Sequence, residues 1–288
     1  MKSIYRSEKA KAAVIALYDK QINELNIPYK DVYLETSFGK THLIECGDSN
    51  NAPLLVFHGG NATTAYNLKY CDFLLPHFHI YAVDTIGHPG KSAEISISPF
   101  NQDYGKWAKE VIEKLGYEQI ACFGGSFGAG ILVKTMCTAP ERISKSVLLV
   151  PSAIKNAPSI KSMNMMFPMC MYRITHNEKW FVKCILPMAV KEEAITKDIL
   201  LTAKCSIDYA RIKSVMPQNE KTRELQKYKN PVLVMAAQRD CLFPAKGVLR
   251  RAKKVWPQSR CYLLRGRGHI HKLTEKEKQL IIKELGAK

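Results

Sequence analysis

Apolar and polar positions fall into short runs of two kinds. Asp31 to Thr36 and Lys40 to Cys46 read as two strands joined at Phe38-Gly39. Leu54 to His58, His79 to Val83, Gln119 to Phe123 and Ser146 to Val150 read as short strands buried on both faces. Between them lie helical patterns. Tyr104, Trp107, Ala108, Val111, Ile112 and Leu115 form an unbroken i, i+3, i+4 series, with Asp103 expected as N-cap and Gly116 as the stop. Near the N-terminus, Val14, Leu17, Tyr18, Ile22 and Leu25 share one face of an amphipathic helix. The alternation lapses after Val150, where Pro151 to Tyr228 is Met-rich and mostly helical in character. It resumes with a strand at Pro231 to Ala236, a helix near Pro244 to Val255, a strand at Arg260 to Leu264 and a final helix. Thr274 and Glu277 have capping-box spacing for that last helix, and Gly286 can end it.

Strands alternating with helices imply an α/β fold with a mostly parallel central sheet flanked by helices. There are no internal repeats and no Gly/Ser linker. Residues 1–150 and 229–288 are expected to form one core, and 151–228 an inserted helical cap. The insertion follows the central strands, where a lid can cover a site at their carboxyl ends.

Composition narrows the class. The chain has 288 residues with 46% apolar content, enough for a substantial core. No window approaches the roughly 18 uninterrupted apolar residues that span a bilayer. Basic residues precede the apolar run Ala12 to Tyr18, but Asp19 and Lys20 end it with no small-residue cleavage site behind, so a helix is expected there and not a signal peptide. Nine cysteines without a C-x-x-C pair read as reduced thiols of a cytoplasmic protein, and their spacing fits no metal site. The net charge of +17 is partly local, since Cys241 to Lys288 carries 13 Lys/Arg against 3 Asp/Glu. Without interleaved aromatics or a nucleic-acid-binding signature, it reads as solvated surface and not as a specific nucleic-acid footprint.

The chemistry concentrates at "CFGGSFGAGI", residues 122–131. "QIACFG" is the strand, "FGAGILVKTM" the helix, and Ser126 sits on the turn between them. A serine held in an unfavourable backbone conformation brings the positions two before and two after it too close to strand and helix to carry a Cβ. Gly124 and Gly128 occupy those positions, and Gly125, Ala129 and Gly130 keep the surroundings small. Phosphate-loop readings fail: the glycines do not fit G-x-G-x-x-G, and "HPGKS" lacks the Gly five positions before Gly90 that a Walker loop needs.

With these pieces the sequence resembles the α/β-hydrolase family over nearly its whole length and in the family's order. "LLVFHGGN" resembles the oxyanion strand and loop, and "YAVDTIGHPGKS" the next strand and its D-x-x-G-x-G-x-S turn. "GGSFG" resembles the nucleophile elbow, "VLVMAAQRDCLFP" the strand ending in the acid, and "CYLLRGRGH" the strand ending in the histidine. The resemblance implies a triad of Ser126, Asp240 and His269, with the backbone amides of Phe127 and Gly60 as oxyanion hole. Asn61 is an alternative to Gly60 there and a candidate substrate contact. His271 is the rival to His269, and the glycine immediately before the latter, Gly268, favours His269 as in the family. His58 and His88 read as structural loop residues.

A serine at the elbow implies acyl chemistry and argues against dehalogenases and epoxide hydrolases, which carry aspartate there. Ester hydrolysis is the expected activity, with lactone, amide or carbon–carbon cleavage as alternatives on the same triad. "HGG" and "GGSFG" also resemble proline iminopeptidases, although Asn61-Ala62-Thr63 departs from their loop. A ligand sensor that retains the fold is the alternative from another class. Apolar residues of the insertion, Met166 and Phe167 among them, are expected to line a pocket for a small or medium apolar acyl group. No cofactor and no metal is expected. The expected partner is a small-molecule substrate, with no membrane insertion and with room for a homodimer.

Overall fold

The computed structural model describes residues 3–158, 163–211 and 215–287. Its eight strands are β1 (Tyr29–Thr36), β2 (Gly39–Cys46), β3 (Ala52–Phe57), β4 (Phe78–Val83), β5 (Ile120–Gly125), β6 (Ile143–Leu149), β7 (Val232–Ala237) and β8 (Arg260–Leu264). They form one sheet in the order β1-β2-β4-β3-β5-β6-β7-β8. The β1–β2 hairpin and the β2–β4 pair are antiparallel. Every other pair is parallel. The apolar runs delimit these strands to within a few residues, because a strand covered on both faces has no polar side to interrupt it.

The helices are α1 (Glu8–Asn23), α2 (Thr64–Tyr70), α3 (Asp103–Lys114), α4 (Phe127–Thr138), α5 (Met163–Thr175), α6 (Glu178–Ala189), α7 (Lys197–Tyr209), α8 (Thr222–Leu225), α9 (Ala245–Val255) and α10 (Glu275–Leu285). One apolar cluster joins the sheet to α3, α4 and α9 around Trp107 and Trp256. A second joins it to α1, α2 and α10 around Tyr18, Leu68 and Ile281. The sheet is therefore covered on both faces, as its apolar composition requires.

Helix ends follow local chemistry. Thr274 and Glu277 form the expected capping box of α10, and Gly286 closes that helix at φ +87°. The start of α3 differs from expectation, since Asp103 is the first helical residue and Gln102 holds the N-cap without a side-chain bond. Asp103 instead accepts from the Asn101 amide at 2.7 Å, and its charge sits at the positive end of the helix, where it is favourable.

Between β6 and β7 the chain forms α5, α6 and α7, which share a small apolar cluster around Tyr172, Phe181 and Ile185. Residues 159–162 and 212–214 of the expected insertion lie outside the described residues. The N-terminal segment is tied to this region: Arg6 N donates to Tyr209 O at 2.9 Å and Arg211 N to Ile4 O at 2.7 Å. Gln21 of α1 also donates to Thr202 of α7 at 2.8 Å. Among the described residues, no helix is long and apolar enough to cross a membrane.

Candidate active site

The turn after β5 is strained as its glycines suggest. Ser126 has φ +54° and ψ −112°, a conformation that costs a non-glycine residue about 1–3 kcal/mol and persists only where neighbours enforce it. A Cβ on Gly124 would stand 2.8 Å from Ala129 N, and one on Gly128 would stand 2.6 Å from His58 O. Both are backbone atoms that cannot swing aside, so the paired glycines let α4 press against β3 and β5. Five of the seven described non-glycine residues with positive φ surround this site: Asn61, Ser126, Val150, Ala153 and Val190.

Three side chains from distant parts of the sequence meet here. His269 Nε2 lies 2.9 Å from Ser126 Oγ, and His269 Nδ1 lies 2.8 Å from Asp240 Oδ2. The Asp240 side chain is wholly buried and that of His269 nearly so. The second Asp240 oxygen accepts the backbone amides of Leu242 at 2.7 Å and Phe243 at 3.0 Å. These bonds hold the carboxylate in one orientation, with Oδ2 left to face the imidazole. Phe243 packs edge-on against the ring, with centroids 5.3 Å apart.

The histidine loop is held from two sides. Gly268 passes under the end of α6, where a Cβ would collide with the Met188 carbonyl and stand 2.9 Å from Val190 Cγ2. Ile270 N then donates to Met188 O at 3.0 Å. His271 is turned away from Ser126: its Nδ1 is bonded to the carbonyls of His269 at 2.9 Å and Gly268 at 3.1 Å. Burial pushes its pKa down to about 4, so it serves as a neutral brace of the loop while His269 faces the serine.

The loop after β3 lies opposite. A Cβ on Gly59 would stand 3.6 Å from Ser126 Cβ, and one on Gly60 would stand 3.6 Å from Phe127 Cβ. Phe127 opens α4, so its amide has no carbonyl partner inside the helix and sits at the positive end of the macrodipole. Asn61 takes φ +54°, and Thr63 caps α2 by accepting from Tyr66 N at 3.2 Å.

His58 and His88 have structural places. His58 Nδ1 donates to Gly59 O at 2.8 Å, and its Nε2 accepts Thr85 N at 3.1 Å, which fixes the neutral tautomer and ties β3 to the turn after β4. That turn is itself anchored by buried Asp84, which accepts from His42 Nδ1 and from Lys91 N, both at 2.7 Å. His88 packs on the Phe127 ring with centroids 4.6 Å apart, and burial pushes its pKa down to about 3.

Met166 and Phe167 do not join this constellation through any described bond. They are 63% and 65% exposed, on the side of α5 away from buried Tyr172, with Phe167 against Trp180. Sequence reasoning missed Met216, whose Cε comes within 3.6 Å of the point where a Gly60 Cβ would stand. It missed Ser152 as well, which donates to the Ser126 carbonyl. Nothing local in "SVMPQN" or "LLVPSA" marks either residue.

A family model for the alpha/beta hydrolase fold matches residues 52–173. Over 96% of this chain and 99% of its own, the crystal structure of carboxylesterase CesB (YbfK) from Bacillus subtilis superposes with a TM-score of 0.81 at 22% identity. The chain has the α/β-hydrolase fold. The naproxen esterase (carboxylesterase NP) of Bacillus subtilis shares this fold with a TM-score of 0.77 at 20% identity, over 95% of both chains. In sequence, carboxylesterase YbfK of Bacillus subtilis strain 168 is 32% identical over 135 residues, 47% of this chain and 46% of the relative. The uncharacterized carboxylesterase nap of the same strain is 29% identical over 136 residues, 47% and 45% of the two chains. The chain thus spans about half the length of the curated relatives it matches. Within the α/β-hydrolase fold, Ser126 stands on the strand-to-helix turn after β5, Asp240 after β7 and His269 after β8.

Proposed function

We propose that this protein is a serine hydrolase that cleaves a small or medium apolar carboxylic ester through an acyl-enzyme intermediate. The observation that carries this reading is the continuous chain from Asp240 Oδ2 to His269 to Ser126 Oγ, with separations of 2.8 Å and 2.9 Å. A serine hydroxyl is a poor nucleophile until a base takes its proton, and His269 is within reach to do so. Asp240 fixes the ring with its proton on Nδ1 and stabilises the imidazolium that forms.

Ser126 Oγ attacks the ester carbonyl as its proton passes to His269 Nε2. The resulting oxyanion is met by the Phe127 and Gly60 amides, each such donor contributing about 3 kcal/mol of transition-state stabilisation. Collapse expels the alkoxide, which leaves as the alcohol after taking the proton from His269. Water then repeats the sequence on the acyl-enzyme, giving the carboxylic acid and the free serine. Helices α5–α7 act as the cap, with Met166 and Phe167 at the apolar rim of the approach and Met216 and Asn61 nearer the oxyanion loop. The esterase activities named for the Bacillus subtilis relatives support this choice among acyl reactions.

The test is labelling with a fluorophosphonate followed by peptide mapping, alongside turnover of p-nitrophenyl esters of graded chain length. Modification of Ser126 in the wild type and its loss in His269→Ala are expected. An unlabelled Ser126 in active, folded protein would remove the proposal.

A further inference from the structure

The fourth glycine of "GGSFGAG", Gly130, is not explained by the approach of α4 to β3. A Cβ there would run into Ser152 Oγ and stand 2.9 Å from Pro217 Cγ. The space it leaves is filled by a serine that is fully buried. Ser152 Oγ donates to Ser126 O at 3.1 Å, and Ser152 N approaches the same oxygen at 3.3 Å. The first helical bond of α4, from Gly130 N, reaches it at 3.1 Å. One carbonyl oxygen therefore collects three donors, two of them from a residue outside the helix.

That carbonyl belongs to the peptide unit joining Ser126 to Phe127. No peptide bond of the described chain is cis, and in a planar trans peptide the N–H points opposite to the C=O. Whatever holds the Ser126 oxygen on the Ser152 side consequently aims the Phe127 N–H to the other side. We propose that Ser152 is a positioning residue: its hydroxyl clamps the Ser126–Phe127 peptide plane and thereby sets the direction of the Phe127 oxyanion donor.

The clamp is built with the same expense as the elbow. Val150 and Ala153, on either side of Ser152, have φ +41° and +68°, and a β-branched residue at positive φ is a genuine outlier. Ser126 N also donates to Leu149 O at 2.9 Å, so both ends of the serine's backbone are fastened to the end of β6.

The same turn is where the chain leaves for the insertion and returns from it. Ala153 O accepts Glu220 N at 2.8 Å. Asn156 N donates to Asn219 Oδ1 at 2.7 Å, and Asn156 Nδ2 to Pro217 O at 2.8 Å. Ser152 thus joins the base of the insertion to the peptide plane of the nucleophile.

The inference rests on the hydrolase proposal above, and one set of variants separates the two. Ser152→Ala, Ser152→Thr and wild type are compared by ester kinetics, fluorophosphonate labelling of Ser126 and affinity for a trifluoromethyl ketone, which forms an oxyanion adduct. Loss of a whole oxyanion donor costs about 10²–10³ in kcat; a donor misaimed part of the time is expected to cost about tenfold to a hundredfold. In Ser152→Ala, kcat and ketone affinity fall together while KM stays within about twofold, and Ser152→Thr, which keeps the hydroxyl, restores both. An Ala variant with wild-type kcat and ketone affinity overturns the clamp and leaves the hydrolase reading intact. So does a Thr variant as impaired as Ala, if both are folded. Absence of labelling and turnover in the wild type overturns the hydrolase reading, and the clamp with it.

Discussion

Lys134 of α4 is wholly buried, and its ammonium lies 2.6 Å from Glu220 Oε1, itself 5% exposed. The pair fastens the segment between α7 and α8 to α4, the helix that begins beside Ser126. Lys134→Met keeps most of the side-chain volume and leaves the Glu220 carboxylate with the Gln102 amide, at 2.8 Å, as its remaining side-chain partner. Deleting one member of a buried pair costs about 3–5 kcal/mol, because the other charge stays in a medium that cannot solvate it. With about 2–4 °C per kcal/mol for chains of some 200 residues, calorimetry should place the midpoint roughly 6–20 °C below wild type. Lys204–Glu178, at 2.7 Å with side chains 25% and 58% exposed, is the surface control. Lys204→Met should cost no more than about 1 kcal/mol. The double variant Lys134→Met/Glu220→Gln removes both charges and should recover most of the loss. A single variant as stable as the surface control, or a double variant no better than the sum of its parts, would refute the assignment of stability to this pair.

Gly128→Ala should lower stability by about 1–3 kcal/mol, the usual cost of overpacking, and slow Ser126 labelling in parallel, because its Cβ meets the β3 backbone; unchanged labelling would contradict the close-approach account. His271 is buried neutral, so on acidification from its ordinary 6.5 to about 4 the unfolded chain takes up a proton that the folded chain refuses. The thermal midpoint should therefore fall across that window, with His88 adding to the slope, and His271→Gln should flatten it. Met216→Ala should shift preference toward longer p-nitrophenyl acyl chains, since it removes a methyl group beside Gly60; an unchanged chain-length profile would place Met216 outside the acyl site.

The sheet was legible because strands covered on both faces carry uninterrupted apolar runs, and their ends moved by only a few residues. The meeting of Ser126, Asp240 and His269 was legible for another reason. It came through the resemblance to the α/β-hydrolase family, which rests on the paired glycines around Ser126, the apolar strand before Asp240 and Gly268 before His269. Ser152 and Met216 have no such local sign. Their roles arise from what the end of β6 and the segment after α7 happen to touch, and a contact between residues 26 positions apart, such as Ser152 and Ser126, leaves no period in the sequence. Asp103 was misplaced by one position because its carboxylate has two favourable uses at a helix start, capping the first turn or countering the dipole, and the pattern of apolar residues is the same for both.

The bond from Ile270 N to Met188 O, with Gly268 pressed beneath it, ties the histidine loop to the end of α6. Helices transplanted here from a carboxylesterase would have to reproduce that carbonyl in place. Grafts that end differently at Val190 would loosen His269, the proposed general base, even if every pocket residue were well chosen. On the proposed mechanism, substrate preference and proton transfer are inherited together.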